Sequence, residues 1–182
     1  MLVLVQHLIR SGRIDRARAR ALGRLLARFE AQPGPRSAPP RVRALAQRVA
    51  QLKRELSEAI GEVRSCAGCA DGCVTPSGYF DGGRCCGTRT DEVFTRAEVR
   101  AIKLAGVPPP TEPAEGGAAE AGCLFRGPRG CARPPEGRPA KCLVYVCHEL
   151  RIELEDTPRF ERIQRLRRTL DDLQAELASA SR

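Results

Sequence analysis

Nine cysteines in a 182-residue chain constrain the fold more than any helix or strand pattern does. They fall in two sets: Cys66, Cys69 and Cys73 with the pair Cys85-Cys86, and then Cys123, Cys131, Cys142 and Cys147. An odd count argues against a fully paired disulfide set. The opening residues MLVLVQHLI are apolar, but they carry no basic leader and no small-residue cleavage site, and Arg10 to Arg13 follow at once. The stretch is also too short to cross a membrane. The expected compartment is therefore a reducing cytoplasm, with no membrane association, where clustered thiols serve as metal ligands more often than as disulfides.

The spacing supports that chemistry. Cys66 and Cys69 form a C-x2-C step, in which a tight turn brings two thiolates to one side, and Gly68 between them suits the turn. Zinc takes four such sulfurs at about 2.3 Å in a tetrahedron. An iron-sulfur cluster uses four thiolates in the same way. Soft sulfur donors exclude magnesium and calcium and leave zinc and iron both open. Eight thiolates would serve two four-sulfur sites, with one of the nine to spare. Adjacent Cys85 and Cys86 are poorly placed to bind a single tetrahedral ion together. His148, next to Cys147, could replace a thiolate, whereas His7 lies far from the cysteines in sequence and reads as structural.

A metal is expected to supply part of the stability, because the apolar material for a large core is modest: aromatic residues are 4% of the chain, there is no Trp, and 14 Pro and 17 Gly interrupt it. Helical periodicity flanks the cysteines on both sides. Residues 1–31 read as helix, broken near Ser11-Gly12, and QPGPRSAPP at 32–40 is a linker. From Val42 the apolar positions Leu45, Val49, Leu52, Leu56, Ala59 and Val63 follow at alternating steps of four and three, a heptad seam. Thr95-Arg96-Ala97-Glu98 reads as a capping box with Phe94 and Val99 as its staple, and Gly106 ends that short helix. Thr111 to Gly122 reads as a flexible surface insertion. The last helix is expected to start with Thr157 as cap and Pro158 in its first position. Residues 143–156 fit strand and helix equally.

The expected fold is mainly α, with long amphipathic helices around a small, loop-rich, metal-stabilised cysteine core. Its expected parts are an N-terminal helical region at 1–64 of two or three helices, a cysteine-cluster metal-binding domain at 65–150, and a C-terminal amphipathic helix at 151–182 that packs on the N-terminal region.

The runs GRCCGTRTDEVFTRAEVRAI (83–102) and GCLFRGPRGCARPPEGRPAKC (122–142) resemble the YkgJ-like cysteine-cluster family of zinc- or iron-chelating proteins. In that family a C-x2-C type element leads into a Cys-Cys pair, then a Thr-x-x-Glu helix start. A Cys, a loop with a second Cys, and an Arg-Pro-x-x-Cys element before a last Cys follow. Arg138-Pro139-Ala140-Lys141-Cys142 is the sharpest match, and the resemblance covers roughly residues 66 to 147. Eleven residues separate Cys73 from Cys85 here, and nine cysteines stand where the family pattern has eight. The resemblance implies binding of zinc or iron, with all nine cysteines as candidate ligands, and no catalytic residue.

Three functions compete. The first is a non-catalytic metal-binding module holding zinc or an iron-sulfur cluster, with a protein partner or a second copy docked through helices 42–63 and 158–178. The bland alternative is that these stripes pack on each other within the chain. The second is an iron-sulfur redox or methyl-transfer component, against which the radical-enzyme spacing C-x3-C-x2-C is absent and Cys66, Cys69 and Cys73 give the reversed order. The third is nucleic-acid binding. The formal net charge of +9 resides entirely in residues 1–64, which hold 14 basic and 5 acidic residues, and Arg16, Arg20, Arg24 and Arg28 repeat every four positions. A solvated Arg face in an Arg-rich, Lys-poor chain, or one paired with acidic residues nearer the C-terminus, is the favoured reading of that stripe, and no nucleic-acid-binding motif accompanies it.

Overall fold

The computed structural model describes residues 2–64, with side chains from Arg16 onward, and residues 89–114, 123–127 and 130–180. Within them the protein is mainly helical, with seven α-helices and one two-stranded ribbon. Helix α1 runs unbroken over Leu2–Glu30, so Ser11-Gly12 does not interrupt it. A Gly inside a helix costs only about 1 kcal/mol relative to Ala, too little to break a helix held by its later turns. After a 3-10 turn at Pro35–Ser37, α2 occupies Pro40–Ile60, with Pro in its first turn where no amide bond is lost.

Two short helices follow, α3 at Thr90–Val93 and α4 at Arg96–Leu104. Thr95 caps α4 by accepting the Glu98 amide at 3.3 Å. The reciprocal arm of the expected capping box is absent, because the Glu98 carboxylate turns inward to other partners. At the other end Gly106 adopts φ +81°, and the amides of Gly106 and Val107 bond Lys103 and Ile102 carbonyls, a Schellman closure that needs a residue free to be left-handed. Strands β1 (Arg126–Gly127) and β2 (Gly130–Cys131) pair antiparallel. The ambiguous stretch 143–156 contains the end of one short helix and the whole of another, α5 at Lys141–Val144 and α6 at His148–Glu155, with non-helical residues 145–147 between them.

The last helix, α7, spans Phe160–Ser179 and begins two residues after the expected first position. Thr157 does not cap it. Its hydroxyl instead donates to the Leu154 carbonyl at 2.6 Å, closing the end of α6, and its own carbonyl accepts the Phe160 amide.

Two apolar clusters form the core. In the larger, Val42, Ala46, Val49, Leu52, Leu56 and Ala59 of α2 meet Ile163, Leu170 and Leu177 of α7, joined by Leu143, Leu150 and Leu154. The seam of α2 is thus covered by α7 of the same chain. In the smaller, Leu25 and Phe29 of α1 pack with Val93, Phe94, Val99, Ile102, Leu124 and Phe125. Helix α4 lies between them, giving Ala101 and Leu104 to one cluster and Val99 and Ile102 to the other. Leu170 is fully buried, and Leu170→Ala is expected to lower stability by about 2–5 kcal/mol in a denaturant titration.

Helix ends are tied across the chain. Lys103 Nζ donates to the Phe29 and Gln32 carbonyls, both at 2.6 Å, where α1 runs out of internal donors. Arg28 returns the bond from α1, donating to the carbonyls of Asp91 at 2.8 Å and Phe94 at 2.9 Å. Among the described residues no helix is long and apolar enough to cross a membrane.

Candidate metal centre

Four of the nine candidate ligands, Cys123, Cys131, Cys142 and Cys147, lie among the described residues, and none of the four is in a disulfide. Cys66, Cys69, Cys73, Cys85 and Cys86 lie outside them. All four described thiols are half-buried. Cys123, Cys131 and Cys142 pack against the smaller apolar cluster, whereas Cys147 packs against the larger. The structure therefore divides a set that sequence spacing grouped together.

Cys123 leads into a segment held at both edges. The Leu124 amide donates to Thr90 Oγ1 at 2.9 Å, and the Leu124 carbonyl accepts the Ala114 amide at 2.9 Å. Thr90 is buried, so Thr90→Val keeps the shape of the side chain and leaves the Leu124 amide without its acceptor. A loss of about 1–3 kcal/mol is expected in thermal unfolding, with faster hydrogen exchange at that amide. Phe125 stands edge-on to Phe94 with ring centroids 5.4 Å apart, fixing the entry to the ribbon against the end of α3.

Cys131 sits on β2 directly opposite Arg126, so their side chains share one face of the ribbon. Arg126 is 1% exposed. Arg133, two residues beyond Cys131, lays its guanidinium over Phe125 at 5.7 Å. A Cβ at Gly137 would come within 2.7 Å of that guanidinium, so a larger residue there would push the flexible end of Arg133 aside. Burial pushes Arg133 below the usual arginine range, against the opposing pull of the Cys131 thiolate and the Glu136 carboxylate. Positive charge is thus concentrated around one candidate ligand.

Cys142 lies on α5, and its amide donates to the Pro139 carbonyl at 3.0 Å. The segment before it is held by a pair that sequence reasoning missed. Lys53 of α2, 1% exposed, meets Glu98 of α4 at 3.2 Å. Lys53 Nζ also donates to the Arg138 carbonyl at 2.7 Å, and Glu98 Oε1 accepts the Ala140 amide at 2.8 Å. A signal was present: Lys53 falls four residues after Val49 and three before Leu56, inside the apolar stripe of α2. A lysine there has to find a buried partner.

Cys147 caps α6, its Sγ accepting the Leu150 amide at 3.4 Å. His148, the first residue of that helix, is exposed. Among the described residues no three His, Cys, Asp or Glu side chains converge where a metal ion could be held. A complete ligand set drawn from this chain would therefore have to include donors outside the described residues. The Arg stripe of α1 is split in use, with Arg20 and Arg24 exposed while Arg28 is committed to carbonyls of the Asp91–Phe94 segment. In comparisons with known proteins, the chain matches no family model, no curated protein and no solved structure.

Proposed function

We propose that this chain is a metal-binding protein of the YkgJ-like kind, holding zinc or an iron-sulfur cluster through its clustered thiolates and acting as a structural or partner-docking module. The observation that carries the reading is that Cys123, Cys131 and Cys142 are half-buried thiols packed against one small apolar cluster, in a segment whose described regular structure is two two-residue strands, a 3-10 turn at Pro135–Gly137 and a four-residue helix. Segments so poor in regular backbone bonding gain most from a bound ion, because binding energy is also folding energy there.

The donor chemistry fits a thiophilic metal. Cys123, Cys131 and Cys142 would supply sulfur from the second set, and Cys66, Cys69, Cys73, Cys85 and Cys86 the remainder. Cys147 already accepts an amide hydrogen bond, which a metal-bound thiolate also takes. The positive charge of Arg126 and Arg133 beside Cys131 suits a centre whose thiolates carry excess negative charge. Bound zinc supplies a cross-link, and a bound iron-sulfur cluster supplies an electron-transfer centre besides. A partner would meet the outer faces of α2 and α7, since their apolar stripes are spent on each other.

Stripping the protein with a chelator and restoring zinc or iron under anaerobic conditions tests the reading. Helical circular dichroism and hydrogen-exchange protection around Cys123 to Cys142 are expected to fall on stripping and return on reloading. Unchanged protection in the presence of chelator would count against it.

A further inference from the structure

Arg138 stands where two sets of hydrogen bonds cross, and it joins two thiol-bearing segments to the helical core. Its carbonyl accepts from Lys53 Nζ at 2.7 Å. Its guanidinium donates to the Arg133 carbonyl at 2.7 Å and to the Cys131 carbonyl at 3.3 Å. One residue on, the Pro139 carbonyl accepts the Cys142 amide, and at the next the Ala140 amide donates to Glu98. The Lys53–Glu98 ion pair closes the frame. The backbone bearing Cys131 and the turn bearing Cys142 are thereby fixed by side chains that carry no sulfur.

A buried ion pair is a poor source of net stability, because desolvation offsets its attraction. Each member of this pair also bonds a backbone group, at Arg138 and Ala140, that has no ladder of its own to satisfy it. Groups that hold ligand-bearing backbone act on a metal site through orientation, and their loss is felt in affinity and geometry. Resting on the reading that the thiols hold a metal, we infer that Lys53, Glu98 and Arg138 form a positioning frame that sets the separation of Cys131 and Cys142. The frame links metal loading to the packing of α2 against α4. None of the three is a ligand.

Cobalt(II) loading of the full chain without oxygen tests the frame in the wild type, Lys53→Met, Arg138→Gln and Leu154→Ala. Leu154 is fully buried and makes none of the frame's side-chain bonds, so its variant reports loss of core stability alone. Lys53→Met and Arg138→Gln are each expected to weaken cobalt affinity about 10–100-fold and to alter the ligand-field bands of the loaded protein. Leu154→Ala is expected to leave those bands unchanged. Arg138 is only half-buried, so its variant decides the matter if Lys53→Met does not fold. Thiolate-cobalt bands in the wild type, with the same bands and affinity in Arg138→Gln, would overturn the frame and leave the metal-binding reading standing. No thiolate-cobalt band in the wild type would overturn both.

Discussion

Lys53→Met is expected to destabilise the protein by about 3–5 kcal/mol, a large share of the 5–15 kcal/mol that holds a typical domain together. Methionine fills much of the same volume, so the loss is electrostatic rather than a cavity effect. It leaves the Glu98 carboxylate buried without its cation and the Arg138 carbonyl without its donor. Adding Glu98→Gln is expected to restore part of the loss, because the amide oxygen still accepts the Ala140 amide while no uncompensated charge remains. Urea titrations of the two single variants and the double variant close the cycle, with an expected coupling of about 0.5–3 kcal/mol. Additive losses would mean that the two side chains do not act as a pair.

Cys142→Ser is expected to abolish metal loading and to loosen the segment from Cys123 to Cys142, while α2 and α7 remain packed. A hydroxyl is a poor substitute for a thiolate toward zinc or iron, and the apparent folding energy attached to a structural zinc is about 10–16 kcal/mol. Cys69→Ser is expected to do the same from the first cysteine set. Metal content by elemental analysis and melting by circular dichroism check both variants. Full metal content and unaltered melting in both would contradict a shared thiolate centre.

Local signals predicted local structure well. The heptad pattern marked α2, and Thr95 and Gly106 marked the two ends of α4, because each of those features is settled within a few residues. Thr157 shows the limit of such signals: its hydroxyl had a choice between starting α7 and finishing α6, and took the carbonyl of Leu154. The Glu98 carboxylate likewise had a local role open to it and took a tertiary one, with partners 45 and 42 residues away in Lys53 and Ala140. Helices α5 and α6 have four and eight residues, too few for periodicity to separate them from strand. The candidate site was legible as chemistry, since thiol clustering needs no fold to be seen. Its frame was legible only in part, because Lys53 stands out inside the apolar stripe of α2 while nothing local names Glu98 and Arg138 as its partners.

Metal and acid-labile sulfide content, with a visible spectrum, measured on the untagged full chain purified without oxygen, tests the central claim most directly. The thiolate-centre account predicts stoichiometric zinc with no sulfide, or iron with matching sulfide and visible absorption. Protein that carries neither metal, with all nine thiols open to rapid alkylation in the folded state, would contradict it.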